Sequence, residues 1–159
     1  MVHSDMPLSL VRDPGNPHLI KRLQELEAYD CSVVRLHVAE RLKWDESRAK
    51  EAEFRTKQFM ALSFLDMGEA HAPEADVDEF WHGMVMHTRW YHAFCDLIFG
   101  EYYHHMPEPA GAALDEERRE RSVVAASLWF GERRGFDMIM NCRRCQPMFT
   151  ARPGLAPRR

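Results

Sequence analysis

The chain has 159 residues, 45% hydrophobic and 29% charged, with four Cys, nine His, eight Gly and nine Pro. That length and balance define one ordinary globular domain and exclude a disordered, collagen-like or disulfide-framework chain. Lys plus Arg number 21 against 25 for Asp plus Glu, a formal charge of -4, so nothing in the bulk electrostatics draws the chain to nucleic acid or to an anionic membrane.

Residues 1–15 carry Pro7, Pro14 and Gly15 without a sustained period, and read as a mobile leading arm that can pack without starting the core. Asp5, Arg12 and Asp13 stand where a signal peptide needs an apolar centre, and no run of eighteen apolar residues occurs, so a cytoplasmic location is expected. A first helix is expected from Asn16, whose side chain can accept from the orphan N–H groups of the first turn, with Pro17 at the first helical position and Leu19, Ile20, Leu23 and Leu26 on one face. Asp30 or Ser32 can cap a second helix with an apolar line of Val34, Val38 and Leu42, leaving Arg35, Glu40, Arg41 and Lys43 wet. From Asp45, a third N-cap, to Met67 there is no Gly or Pro; a charged first half gives way to the apolar QFMALSFLDM, and Gly68 ends the helix.

Asp76 opens the segment VDEFWHGMVMHTRWYHAFCDLIFG, which runs to Gly100. As one helix it would put Phe80, Trp81, Met84, Tyr91, Phe94, Cys95, Ile98 and Phe99 on a core face, with Asp78, His82, Arg89, His92 and Asp96 opposite. Gly83 and Thr88 argue for a break, because Gly weakens a helix by about 1 kcal/mol and Thr can cap a new one. After HHMPEPAGAALD, a helix starting near Asp115 should turn Val124, Leu128 and Trp129 inward behind the solvated run EERRER. GFDMIMN, CRRC and a basic tail follow. The expected architecture is a single all-α domain of five to seven helices spanning 16–145, with the arm at 1–15 and a flexible basic tail at 146–159.

Five of the nine His, at 82, 87, 92, 104 and 105, crowd one stretch of the chain, and imidazole is the commonest metal-ligating side chain. Asp78 and His82, four apart on a helix, lie within reach of each other, and a carboxylate beside an imidazole can fix its tautomer or bind the same ion. His104 and His105 are adjacent, so one should face inward and the other water. Five residues after Gly100 can return at most about 17 Å, which brings His105 to His82 only if the helix breaks near Gly83–Thr88. His3, His18, His37 and His71 show no partner pattern. Cys142 and Cys145 read as a contribution to a mixed Cys/His zinc site, a redox dithiol, or two unremarkable cysteines near a frayed end. Cys31 and Cys95 read as packing residues.

The run Val77-Asp78-Glu79-Phe80-Trp81-His82, then His87-Thr88, Tyr91, Phe94-Cys95, Phe99-Gly100 and His104-His105-Met106-Pro107, resembles the glycine-rich domain-containing protein-like family over about residues 20 to 135. The resemblance implies a helical domain and names no activity. Met84 stands where that family has the second His of its WH-x-H motif, and the glycine-rich region is absent.

Two functions compete. One is a small metalloprotein, extending to a metal-dependent enzyme, in which Asp78, His82, His87 and one of His104 and His105 bind a divalent ion, Zn or Fe. The other is a non-catalytic interaction module, in which the His/Trp motif is a structural lock and exposed helices meet a protein partner. No motif indicates a nucleotide cofactor, and no basic face interleaved with aromatics supports nucleic-acid binding.

Overall fold

The computed structural model describes residues 6–68, 71–105 and 112–131, the last stretch with side chains from residue 116 onward. The apolar GFDMIMN piece, Cys142, Cys145 and the basic tail lie outside the described residues. Six α-helices follow a 3-10 turn at Pro7–Ser9: α1 Pro17–Ala28, α2 Ser32–Leu42, α3 Glu46–Leu65, α4 Ala75–Met86, α5 Thr88–Ile98 and α6 Ala112–Phe130. The fold is all-α. None of these helices is long and apolar enough to cross a membrane.

The helix starts follow the capping chemistry. Asn16 Oδ1 accepts from the N–H groups of His18 (3.0 Å) and Leu19 (3.3 Å) with Pro17 behind it. Asp30 Oδ1 accepts from Ser32 N at 2.9 Å, and Asp45 Oδ1 from Arg48 N at 2.8 Å. Thr88 does not cap α5. Its place is taken by His87, which sits outside helical geometry (φ -88, ψ 64) and ends α4 while opening α5.

The longest helix, α3, packs against α1, α2, α4 and α6, while α5 packs on α4 and α1. Met60, Ala61 and Leu62 of α3 are buried, with Phe59, Phe64 and Leu65 packed partly buried around them. Polar residues of α3 are buried too, which the charged pattern of its first half conceals. Lys57 Nζ donates to the carbonyls of Glu27 (2.8 Å) and Tyr29 (2.7 Å), serving the unsatisfied end of α1, with Glu53 Oε1 at 3.4 Å. Gln58 Nε2 donates to Leu8 O at 2.8 Å, and Leu8 N donates to Glu27 Oε1 at 3.0 Å. These bonds hold Leu8 at φ 56, a conformation that costs a β-carbon-bearing residue about 1–2 kcal/mol, and bury its side chain completely. The described part of the leading arm is thus tied to the core, and Val11 N–H donates to Trp129 O of α6 at 2.8 Å.

Two expectations fail, each for a reason of its own. Val124 and Leu128 are 67% and 49% exposed, and the buried residues of α6 among those described are Ser122, Ala125 and Phe130. Small residues let α6 come close, and Ser122 Oγ accepts from Ala72 N (2.8 Å) while donating to Arg118 O (2.8 Å), so the polar-small stripe makes the contact. Arg35 and Arg41 are not simply wet; they are half-buried, paired with Glu53 and with Glu79 (3.1 Å for the latter). Hydrophobic period alone cannot see a long cationic side chain laid along the surface to reach an acid on a neighbouring helix.

Gly83 sets the approach of α2 to α4. A β-carbon there would stand 2.3 Å from Val38 Cγ2, and Val38 in a helix has essentially one rotamer with which to respond. Gly83→Ala is therefore expected to destabilise despite Ala's better helix propensity, since overpacking costs about 1–3 kcal/mol. Adding Val38→Ala should recover part of that loss, so that urea denaturation gives a double variant less destabilised than the two singles summed. Strict additivity would show that the two residues do not meet.

Candidate metal centre

The break at His87 lets α4 and α5 pack side by side, and the chain after α5 then returns to α4. Phe99 N and Gly100 N both donate to Cys95 O (2.8 and 3.1 Å), with Gly100 at φ 76, where a β-carbon would be strained. Residues 101–105 follow as an irregular strap over α4 and α5.

One hydroxyl anchors that strap. Trp81 Nε1–H donates to Tyr91 Oη at 2.8 Å, and Tyr91 O–H donates in turn to the carbonyl of Tyr103. Burial holds the Tyr91 phenol well above its ordinary pKa, so it stays a donor, and burial raises the Tyr103 phenol as well. Stacking reinforces the bond: the Tyr103 ring lies on Phe99 (4.4 Å, 11°) and on Trp81 (5.2 Å, 22°), and Tyr102 meets Tyr91 edge-on at 5.3 Å.

Held this way, the strap delivers His105 to Asp78 and His82. His105 Nε2–H donates to Asp78 Oδ1 at 2.8 Å, and His82 Nδ1 is 3.6 Å from Asp78 Oδ2. The two imidazoles lie 4.3 Å apart, centroid to centroid, and the His105 ring meets Trp81 edge-on at 4.3 Å. One ligand atom from each of Asp78, His82 and His105 falls within 4.8 Å of the others. The three side chains are 12%, 14% and 8% exposed, so the group is nearly closed but keeps an edge to solvent.

Two of the five residues singled out from the sequence lie elsewhere. His104 is exposed beside Tyr102 (centroids 4.8 Å). His87 points to α2: its Nδ1–H donates to Gly83 O at 2.8 Å and its ring meets His37 edge-on at 4.8 Å. Met84, in the position of the resemblance's second His, is buried in the core. His92 is exposed. His71, without a partner pattern in the sequence, has Nε2 2.9 Å from Asp66 Oδ2. No spacing rule could have found the His37–His87 contact, because the two residues are fifty positions apart and meet only through helix packing.

The free thiols among the described residues, Cys31 and Cys95, are buried. Burial pushes Cys31 up to about 12 and raises Cys95 as well. Neither fits a metal-ligating or nucleophilic role, which needs thiolate.

Fold and site together describe a small helical protein with, among the described residues, a nearly closed carboxylate–imidazole cluster. The chain belongs to the UCP032817-like family, whose model matches residues 21–143. No curated protein and no solved structure matches it.

Tyr91→Phe should cost about 1–3 kcal/mol, because it strands the Trp81 indole N–H and the Tyr103 carbonyl in the interior. His104→Ala, at an exposed position, should stay within about 0.5 kcal/mol of the parent. Equal effects of the two in denaturant melts would contradict the anchoring role of Tyr91. For Cys31, alkylation at pH 8 should proceed only on unfolding; rapid labelling of Cys31 itself in the native chain, located by peptide mapping, would mean the thiol is not held protonated.

Proposed function

We propose that the protein binds a divalent first-row metal ion, Zn(II) or Fe(II), through Asp78, His82 and His105. The observation that carries this reading is the convergence of one carboxylate and two imidazoles within 4.8 Å. Two His and one carboxylate leave coordination positions open, the arrangement used by non-haem Fe(II) sites and catalytic Zn(II) sites, and it disfavours Mg(II) and Ca(II), which take oxygen ligands. When bound, such an ion supplies Lewis-acid activation of water or of a substrate oxygen. Asp78 orients His105, Trp81 shields one side of that ring from solvent, and the Tyr91 hydroxyl fixes the strap that carries it. In its full form this reading makes the protein a metal-dependent enzyme acting in the cytoplasm. The likeness of its Trp81-His82 and His104-His105 motifs to the glycine-rich domain-containing protein-like family belongs to the same proposal.

A second reading is favoured by the same hydrogen bonds. The chain from Trp81 through Tyr91 to Tyr103, with His105 bonded to Asp78, is a sufficient structural lock without any ion, and the protein is then an interaction module whose exposed helices meet a protein partner. Elemental analysis of the purified chain separates the two. The metal reading expects about one equivalent of Zn or Fe, lost in Asp78→Ala and in His82→Ala without loss of the helical spectrum. No metal in the parent after reconstitution with either ion, together with lowered stability of His82→Ala, would leave only the lock.

A further inference from the structure

The structure moves His87 away from Asp78 and sets it against His37, and this contact has the features of a binding site in its own right. His37 comes from α2 and His87 from the junction of α4 and α5, and the two half-buried rings stand 4.8 Å apart at 73°. His87 is held on every side that a ligand must be held. Its backbone N–H donates to Met84 O (3.1 Å), its carbonyl accepts from Tyr91 N (2.7 Å), and its Nδ1 is 2.8 Å from Gly83 O. A carbonyl can only accept, so the Nδ1 atom carries the proton and the lone pair sits on Nε2. Donation of the other ring N–H to a backbone carbonyl is the arrangement that orients a metal-ligating His and raises its basicity.

The same glycine makes both halves of the contact. Gly83 supplies the carbonyl that fixes the His87 tautomer, and its missing β-carbon is what lets Val38, next to His37 in the chain, come against α4. A centroid spacing of 4.8 Å is compatible with two imidazoles sharing one ion at nitrogen–metal distances of about 2.0–2.1 Å. Both residues are half-buried, which leaves solvent access for its remaining positions.

We infer that the imidazoles of His37 and His87 form a second site for a late first-row divalent cation of the Zn(II), Ni(II) or Cu(II) class. Imidazole suits those ions, and the two rings share no residue with the Asp78 cluster, on which this site does not rest.

The test is a titration of the full-length chain with Zn(II), read by long-range proton–nitrogen correlation of the imidazole rings. In the metal-free chain His87 should show the Nδ1–H tautomer. Zn(II) should move the His37 and His87 ring nitrogens together, at the same concentration, while Mg(II) leaves both in place. His37→Gln should weaken the response at His87 at least tenfold. Silence of both rings, or a His87 response unchanged by His37→Gln, overturns the inference. Should His37→Gln fail to fold, the parent titration still decides, since the two rings must respond as one. A chain in which His37 and His87 respond while His82 and His105 do not would remove the Asp78 reading and keep this one; the reverse pattern removes this one alone.

Discussion

The Tyr91 hydroxyl joins three parts of the molecule at one oxygen: it accepts from the Trp81 indole of α4, belongs to α5, and donates to the carbonyl of Tyr103 in the strap that follows α5. The third member of the Asp78 cluster, His105, depends on that junction. Asp78 and His82 are four residues apart on one helix and need nothing but helical geometry to be neighbours. His105 arrives from an irregular segment, where no ladder of backbone bonds dictates position, and a carbonyl pinned two residues earlier is what limits its reach. The aromatic stack of Phe99, Tyr103 and Trp81 keeps water from that bond, and a buried hydrogen bond loses more when broken than an exposed one.

The fold was legible in the sequence to the extent that its helices announce themselves by period and caps. The starts at Pro17 and Glu46 follow from Asn16 and Asp45, and the apolar residues Phe80, Trp81 and Met84 of α4 and Tyr91, Phe94, Cys95 and Ile98 of α5 are buried on either side of the break at His87. Period failed at α6, where two stripes compete and the small one, Ser122 and Ala125, wins because it permits closer contact than Val124 and Leu128. It failed also for Thr56, Lys57 and Gln58, polar residues whose burial is set by carbonyls on α1 and the leading arm that no local pattern reveals.

The site was partly legible for a geometrical reason. The spacing of Asp78 and His82, the short reach from Gly100 to His105 and the need for a break before Thr88 are all properties of a local chain, and together they bring those three side chains to one place. His104 and His87 could not be sorted the same way. Which of two adjacent residues in an irregular strap turns inward depends on the Tyr103 anchor, and where His87 points depends on α2, whose register against α4 is fixed by Val38 filling the space above Gly83.

The first turns of α4 carry three carboxylates, and the partners of each set them apart. Asp76 is held by Arg48 through two bonds of 2.9 Å, and Glu79 by Arg41 at 3.1 Å. A guanidinium does not lose its proton in a protein, so those two pairs keep the same form whenever the acid is ionised, and a cation approaching either meets a fixed positive charge. Asp78 instead faces imidazoles, His105 at 2.8 Å and His82 at 3.6 Å. The proton on an imidazole nitrogen can be displaced by a metal ion, leaving the nitrogen as ligand and the carboxylate as either co-ligand or orienting acceptor. Carboxylates of similar chemistry on one helix are thereby divided by their neighbours: Asp76 and Glu79 bind α4 to α3 and α2, and Asp78 is the one whose partner can be exchanged.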